Sequence, residues 1–233
     1  MRRRRRPMAL AAALATLFLL PAAGHATTPV RAHTAAEGDV RAADLLAAIG
    51  GGCADQLSRG KYRTDDGTSA DIPVCGKQGA VYWHADMDID CDGQPTGRCN
   101  KKTDRWFQPE TAFQQSDGRH LNSAALPFIV VPLPSRIWDH RGAGVGGGTI
   151  AAVIHKDEVQ YAVVGDQGPK EIIGEASYAS AAGLGIAPDP TTGGVDSGVT
   201  YLLFPGSAAH PIEDHGAAVA EGEALAKRFL AEN

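Results

Sequence analysis

From Val81 to Asp92 apolar and polar residues alternate. Val81, Trp83, Ala85, Met87, Ile89 and Cys91 fall on one side, and Tyr82, His84, Asp86, Asp88, Asp90 and Asp92 on the other. A period of two predicts a strand with one apolar face and one acidic face. A second apolar run, Phe128 to Val131, is fenced by Pro127 and Pro132 and reads as a buried strand. Thr149 to His155 and Val159 to Val164 flank the polar turn Lys156-Asp157-Glu158, the pattern of a β-hairpin. Val199 to Phe204 is a further strand. Helical patterns are fewer. Asp39 to Ile49 reads as a short helix with Asp39 as its cap and Gly50-Gly51-Gly52 as its end. An Ala/Ser segment after Glu175 reads as a second helix closed by Gly183. Asp214 to Leu230 reads as a third, with Asp214 as cap. The elements predict a β-rich α+β fold.

Residues 1–26 stand apart. Arg2 to Arg6 precede an apolar core from Met8 to Leu20, and Gly24-His25-Ala26 offers small residues for cleavage. This is the pattern of a signal peptide, too short to be a comfortable membrane span. Two adjacent arginines also allow twin-arginine export. The expected organisation is a signal peptide over 1–26, a mobile polar lead-in over 27–38 and one folded domain over 39–233. A secreted, extracellular protein follows from it.

Charge sharpens the picture. The chain has 22 Lys+Arg against 27 Asp+Glu; residues 1–26 hold five Arg and no acid, so the remainder has 17 against 27, a net of −10. Such a domain repels nucleic acid and anionic membranes and attracts cationic partners. The four cysteines, Cys53, Cys75, Cys91 and Cys99, lie in one Gly- and Asp-rich region. In an exported chain they read as two disulfides. Three connectivities are possible, and loop closure favours Cys53–Cys75 and Cys91–Cys99 as neighbours along the chain.

Several chemistries are excluded. Gly142, Gly144 and Gly147 form a literal GxGxxG, but a hairpin follows where a dinucleotide fold needs a helix. Asp88, Asp90, Asp92 and Gly93 match the start of an EF-hand loop, but its twelfth position is Cys99 rather than Glu. An irregular calcium site is the rival left for those aspartates; no metal and no cofactor are expected. No CxxC pair suggests zinc, and no GxSxG elbow suggests a serine triad. What remains is a carboxylate pair. Asp166 ends an apolar strand before the turn Gln167-Gly168-Pro169, and Glu175 opens a helix nine positions later. Turn geometry and helix polarity alone account for both acids, yet acids at element ends beside glycines are also where acid–base catalysts sit. Glu171 is the rival to Glu175.

Five blocks occur in order: ADMDIDCDG, FQPETAF, LNSAALPFIVVP, VVGDQGP followed by GEAS, and VTYLLFPG. Together they resemble the chitosanases of glycoside hydrolase family 75, over roughly Gly50 to the end. The resemblance implies endo-hydrolysis of β-1,4-glucosamine linkages in chitosan with inversion, a β-barrel core of the double-psi kind with a few short helices, and Asp166 and Glu175 as the catalytic Asp and Glu. Glu175 is then the general acid and Asp166 the general base. The acidic face of Asp86, Asp88 and Asp90 suits the ammonium groups of the substrate, and a monomer is the expected state. Apolar neighbours Ile172 and Ile173 would raise the pKa of Glu175 while a helix N-terminus would lower it. Two other readings stay open: an expansin-like carbohydrate-binding barrel without catalysis, and a glycosidase or transglycosylase acting on another wall polysaccharide.

Overall fold

The computed structural model describes residues 37–233; the signal-peptide reading lies outside them. Eight strands form one sheet: β1 (Asp55–Gln56), β2 (Cys75–Lys77), β3 (Ala80–Asp90), β4 (Phe128–Pro132), β5 (Ile150–His155), β6 (Glu158–Gly168), β7 (Glu175–Ser177) and β8 (Val195–Leu203). Three helices accompany them, α1 (Ala42–Ile49), α2 (Tyr178–Gly183) and α3 (His215–Glu232). The sheet runs β1-β2-β3-β7-β4-β6-β5-β8, and β8 pairs back onto β3. Six strands therefore close into a barrel, with β1 and β2 as a ribbon outside it. The barrel is mixed: β3–β7 and β4–β6 are parallel and its other pairings antiparallel. The expected β-barrel with few helices is the fold observed.

Alternation sorts the core into two layers. Trp83 and Met87 of β3, Ile129 and Val131 of β4, Val153 of β5, Ala162 and Val164 of β6, Ala176 of β7 and Tyr201 of β8 belong to one cluster, to which all six barrel strands contribute. That is the barrel interior. Trp83 stacks on its cross-strand partner Tyr201 at 5.3 Å. The intervening residues, among them Phe128, Val130, Ala152, Tyr161, Val163 and Leu202, point outward and pack with Leu45 and Ile49 of α1 and Ala218, Ala226 and Phe229 of α3.

The hairpin is present as β5–β6, turned by Lys156 at φ 56° and Asp157. Helix α3 is capped as expected, with Asp214 accepting from the N–H of Ala217. Helix α1 is not capped by Asp39. Its cap residue is Arg41, which makes no side-chain cap bond and pairs instead with Asp44 in the first turn. Asp39 is taken up elsewhere, its N–H donating to Glu223 on α3. Glu37 accepts from the N–H of Tyr161 and pairs with His215 at 2.7 Å, so the end of the lead-in rests on β6 and α3. The disulfides are Cys53–Cys75 and Cys91–Cys99. The first ties the segment after α1 to β2. The second ties the end of β3 to the following loop, over a small cluster of Cys91, Cys99 and Phe107.

Candidate active site

On β3, Met87 points into the barrel, so Asp86, Asp88 and Asp90 point out. Strand β7 lies parallel to it with Asp88 opposite Glu175 and Asp90 opposite Ser177. Glu175 thus stands beside the acidic face. It is a strand residue, not the opening residue of a helix: Ser177 caps α2, accepting from the N–H of Ser180. A helix N-terminus consequently does not act on Glu175. Gly174, at φ 122°, makes the turn into β7.

Asp166 also lies inside a strand rather than in a turn. Continued alternation after Ala162 and Val164 would point it into the barrel. A bulge prevents this: Ile129 pairs with Val164 but Val130 pairs with Asp166, and Gly165 is skipped. The extra residue re-aims the next side chain. Gly165 is the residue that fits, because a Cβ there would meet Phe128 and Leu121 at 2.6–2.7 Å. Asp166 therefore shares the outward side with Val130. Ile129 pairs with Ala176, so one step along that antiparallel ladder sets Glu175 beside Val130 on its other flank. The two acids flank β4, two strand spacings apart, which is roughly 9–10 Å between backbones. Gly168 leaves room for the carboxylate of Glu175, whose Oε2 would lie 2.6 Å from a Cβ at that position.

A cleft of about 720 Å³ opens on this side, and Asp88, Asp90, Asp92 and Glu175 line it. Asp166 is buried behind this wall, its carboxylate grouped with those of Asp90 and Asp92 with ligand oxygens within 4.8 Å of one another. Each of the three is held by backbone. Asp166 Oδ1 accepts from the N–H of Ala112 and of Gln167, both at 2.7 Å; Asp90 accepts from Asp92, and Asp92 from Gln108. Asp86 is not part of the cleft wall. It is 4 % exposed and faces a smaller hollow. Glu171, the rival acid, sits in solvent at 67 % side-chain exposure, 3.6 Å from Arg63.

Crowded acids and burial set the protonation. Burial, then the charges of Asp88 and Asp166, push Glu175 up from 4.5 to about 7. Burial raises Asp88 and Asp92 to about 6 each, with Asp65 the next cause for Asp88. Asp90 is pushed well above the usual range, by burial and then by Asp166. Burial raises Asp166 too, but its two N–H bonds and nearby His120 pull it back. The pair therefore combines an acid that holds its proton near neutrality with a carboxylate whose charge the backbone supports.

One residue of the site was not singled out from the sequence, while Trp106 is the aromatic of the 100–113 segment expected to meet a sugar ring. Asp65, in the loop before β2, joins the cluster of Asp86 and Asp88; only its place in an Asp-rich turn hinted at it. Trp106 stands at the cleft 72 % exposed, with the Arg105 guanidinium 4.7 Å over its ring. Of its aromatic neighbours, Phe107 is core.

Comparison with known proteins adds an independent line. The family model described as fungal chitosanase of glycosyl hydrolase group 75 matches residues 87–230, well over half the chain. Endo-chitosanase C of Aspergillus oryzae is 32 % identical over 137 residues, which cover 57 % of this chain and 33 % of that protein. The match thus spans about a third of the length of that curated relative.

Proposed function

Since the chain belongs to the chitosanases of glycosyl hydrolase group 75, we propose that it hydrolyses the β-1,4-glucosamine linkages of chitosan internally, by an inverting two-carboxylate mechanism. The observation that carries the mechanism is the placement of Asp166 and Glu175 on the same outward side, flanking β4. Inverting glycosidases need about 6.5–9.5 Å between their carboxyl groups to admit a water. Two strand spacings, roughly 9–10 Å between backbones, leave room for carboxyl groups at that separation. Glu175, protonated up to about pH 7, gives its proton to the leaving oxygen. Asp166 takes a proton from the water that attacks the other face of the sugar. Its Oδ1 is occupied by two backbone N–H groups, and its second oxygen receives the proton.

Asp88 and Asp90 in the cleft wall meet the ammonium groups of the substrate, and a neutral polysaccharide offers them hydroxyl donors but no positive charge. Trp106 supplies an aromatic face for a sugar ring. The signal-peptide reading makes the enzyme secreted, and two disulfides suit an oxidising compartment.

The test is release of reducing ends from chitosan by the wild type and three variants. Asp166→Asn and Glu175→Gln should each lower kcat by at least about a hundredfold, since general acid–base catalysis contributes roughly 10²–10⁴. Glu171→Gln should stay near wild type. NMR of the new ends should show the inverted anomer. Substantial activity in Glu175→Gln would remove Glu175 from the mechanism, and retained configuration would rule out the intervening water. A wild type that binds chitosan oligomers and releases no ends would favour the non-catalytic carbohydrate-binding barrel.

A further inference from the structure

A second carboxylate cluster lies beside the first and differs from it in one respect. Asp65, Asp86 and Asp88 also bring their oxygens within 4.8 Å of one another. In the first cluster each acid is held by a backbone N–H. In the second, Asp86 Oδ1 is buried with no hydrogen-bond partner. A buried, unpaired carboxylate oxygen is costly, and a native fold keeps one only where something satisfies it. Among the described residues no ion pair reaches Asp65, Asp86 or Asp88.

The fold builds this cluster from three sides. Asp86 and Asp88 come from β3. At Asp86 the ladder to β8 is irregular: Ala85 pairs with Val199 and Met87 with Val195, which leaves Asp196, Ser197 and Gly198 looped out opposite one residue. Gly174 presses against Asp86 from β7's entry turn, so closely that a Cβ there would collide with Oδ1. Asp65 arrives on a short loop closed by Thr68, whose Oγ1 donates to the Asp65 carbonyl at 2.8 Å. That loop is anchored on the strand entry by Arg63, which bonds Glu171 and Ile173 through the backbone. The adjoining hollow, about 380 Å³, adds oxygen from Thr64, Thr68 and Asp196.

We propose that Asp65, Asp86 and Asp88 bind a divalent cation of the calcium type. Ca²⁺ takes oxygen ligands at about 2.3–2.6 Å, so ligand atoms across one ion stand up to about 5 Å apart, the span this cluster has. The three acids offer oxygen alone, without thiolate or imidazole, which disfavours zinc. Mg²⁺ demands a tighter octahedron. A bare ion can enter where Asp86 is sealed from a sugar ring. Once bound, it clips the Asp65 loop to β3 at the edge of the substrate cleft.

Protein freed of metal with a chelator tests this by calorimetric titration with CaCl2 and by thermal melting. One Ca²⁺ per chain should bind with Kd of about 1 mM or tighter. Melting should rise by about 5 °C in about 10 mM CaCl2. Asp86→Asn should abolish both effects. Asp65→Asn, a change on an exposed loop that threatens no core, should weaken binding at least about tenfold and decides the matter if Asp86→Asn fails to fold. Asp90→Asn should bind Ca²⁺ as the wild type does. No heat and no melting shift in the wild type would overturn the proposal, as would full binding by Asp65→Asn or loss of binding confined to Asp90→Asn.

Discussion

In metal-free buffer, removing the charge of Asp88 while keeping its shape should change two observables at once. It lines the cleft, and after burial it is the largest cause of the raised pKa of Glu175. In Asp88→Asn the repulsion that keeps Glu175 protonated weakens, so the alkaline limb of kcat/KM should move to lower pH. The KM for chitosan oligomers should rise about tenfold and depend less on salt, because an exposed charge pair is screened within about 8–10 Å. An unmoved alkaline limb would mean that Asp88 does not set the acid. Much of this residue-level picture was legible beforehand. The acids of β3 followed from alternation, and Asp166 and Glu175 from their blocks. The turning of Asp166 was not, because the bulge at Gly165 depends on Phe128 and Leu121, which approach from distant segments. Asp65 was missed for the same reason: its partners are on β3, and nothing local marks it.

The elements were read well where one face meets one core, as in the β5–β6 hairpin and α3. They were misread where a tertiary partner intervenes. Asp39 looked like a cap, but Glu223 takes its N–H. Glu175 looked helical because an Ala/Ser run follows it, while pairing with β3 holds it extended. The seating of α3 on the barrel is also decided between elements. Gly222 faces Tyr161 of β6, and a Cβ there would run into the ring. Alanine favours a helix over glycine by about 1 kcal/mol, but forcing atoms into a packed contact costs about 1–3 kcal/mol. Gly222→Ala should therefore be less stable by up to about 2 kcal/mol in urea unfolding at unchanged m-value. Stability at or above wild type would mean that α3 can shift outward without loss.

Across the whole molecule, the crowded acids of the site make the fold a proton sink. Asp86 and Glu175 are raised to about 7 and Asp88 and Asp92 to about 6. Between their unfolded and folded values the native state binds more protons than the unfolded chain, so stability must fall as pH rises through that window. The depressed acids Asp117, Asp139, Glu213 and Glu223 act the other way, but they are exposed and screened. In metal-free buffer the melting temperature should drop from pH 5 to pH 8, and Glu175→Gln should flatten the slope. A melting temperature that climbs over this range would contradict the assignment of raised values.

The closure of β8 onto β3 also bears on how the protein behaves at high concentration. Every barrel strand has a neighbour on both sides, so none of them presents a free edge. Among the described residues the free rim of the sheet is β1, two exposed residues, Asp55 and Gln56. A sheet with so short and polar a rim gives a second molecule no template for strand addition. Fibrillar or sheet-mediated aggregation must then wait for the barrel to open, and crowding folded molecules together does not start it.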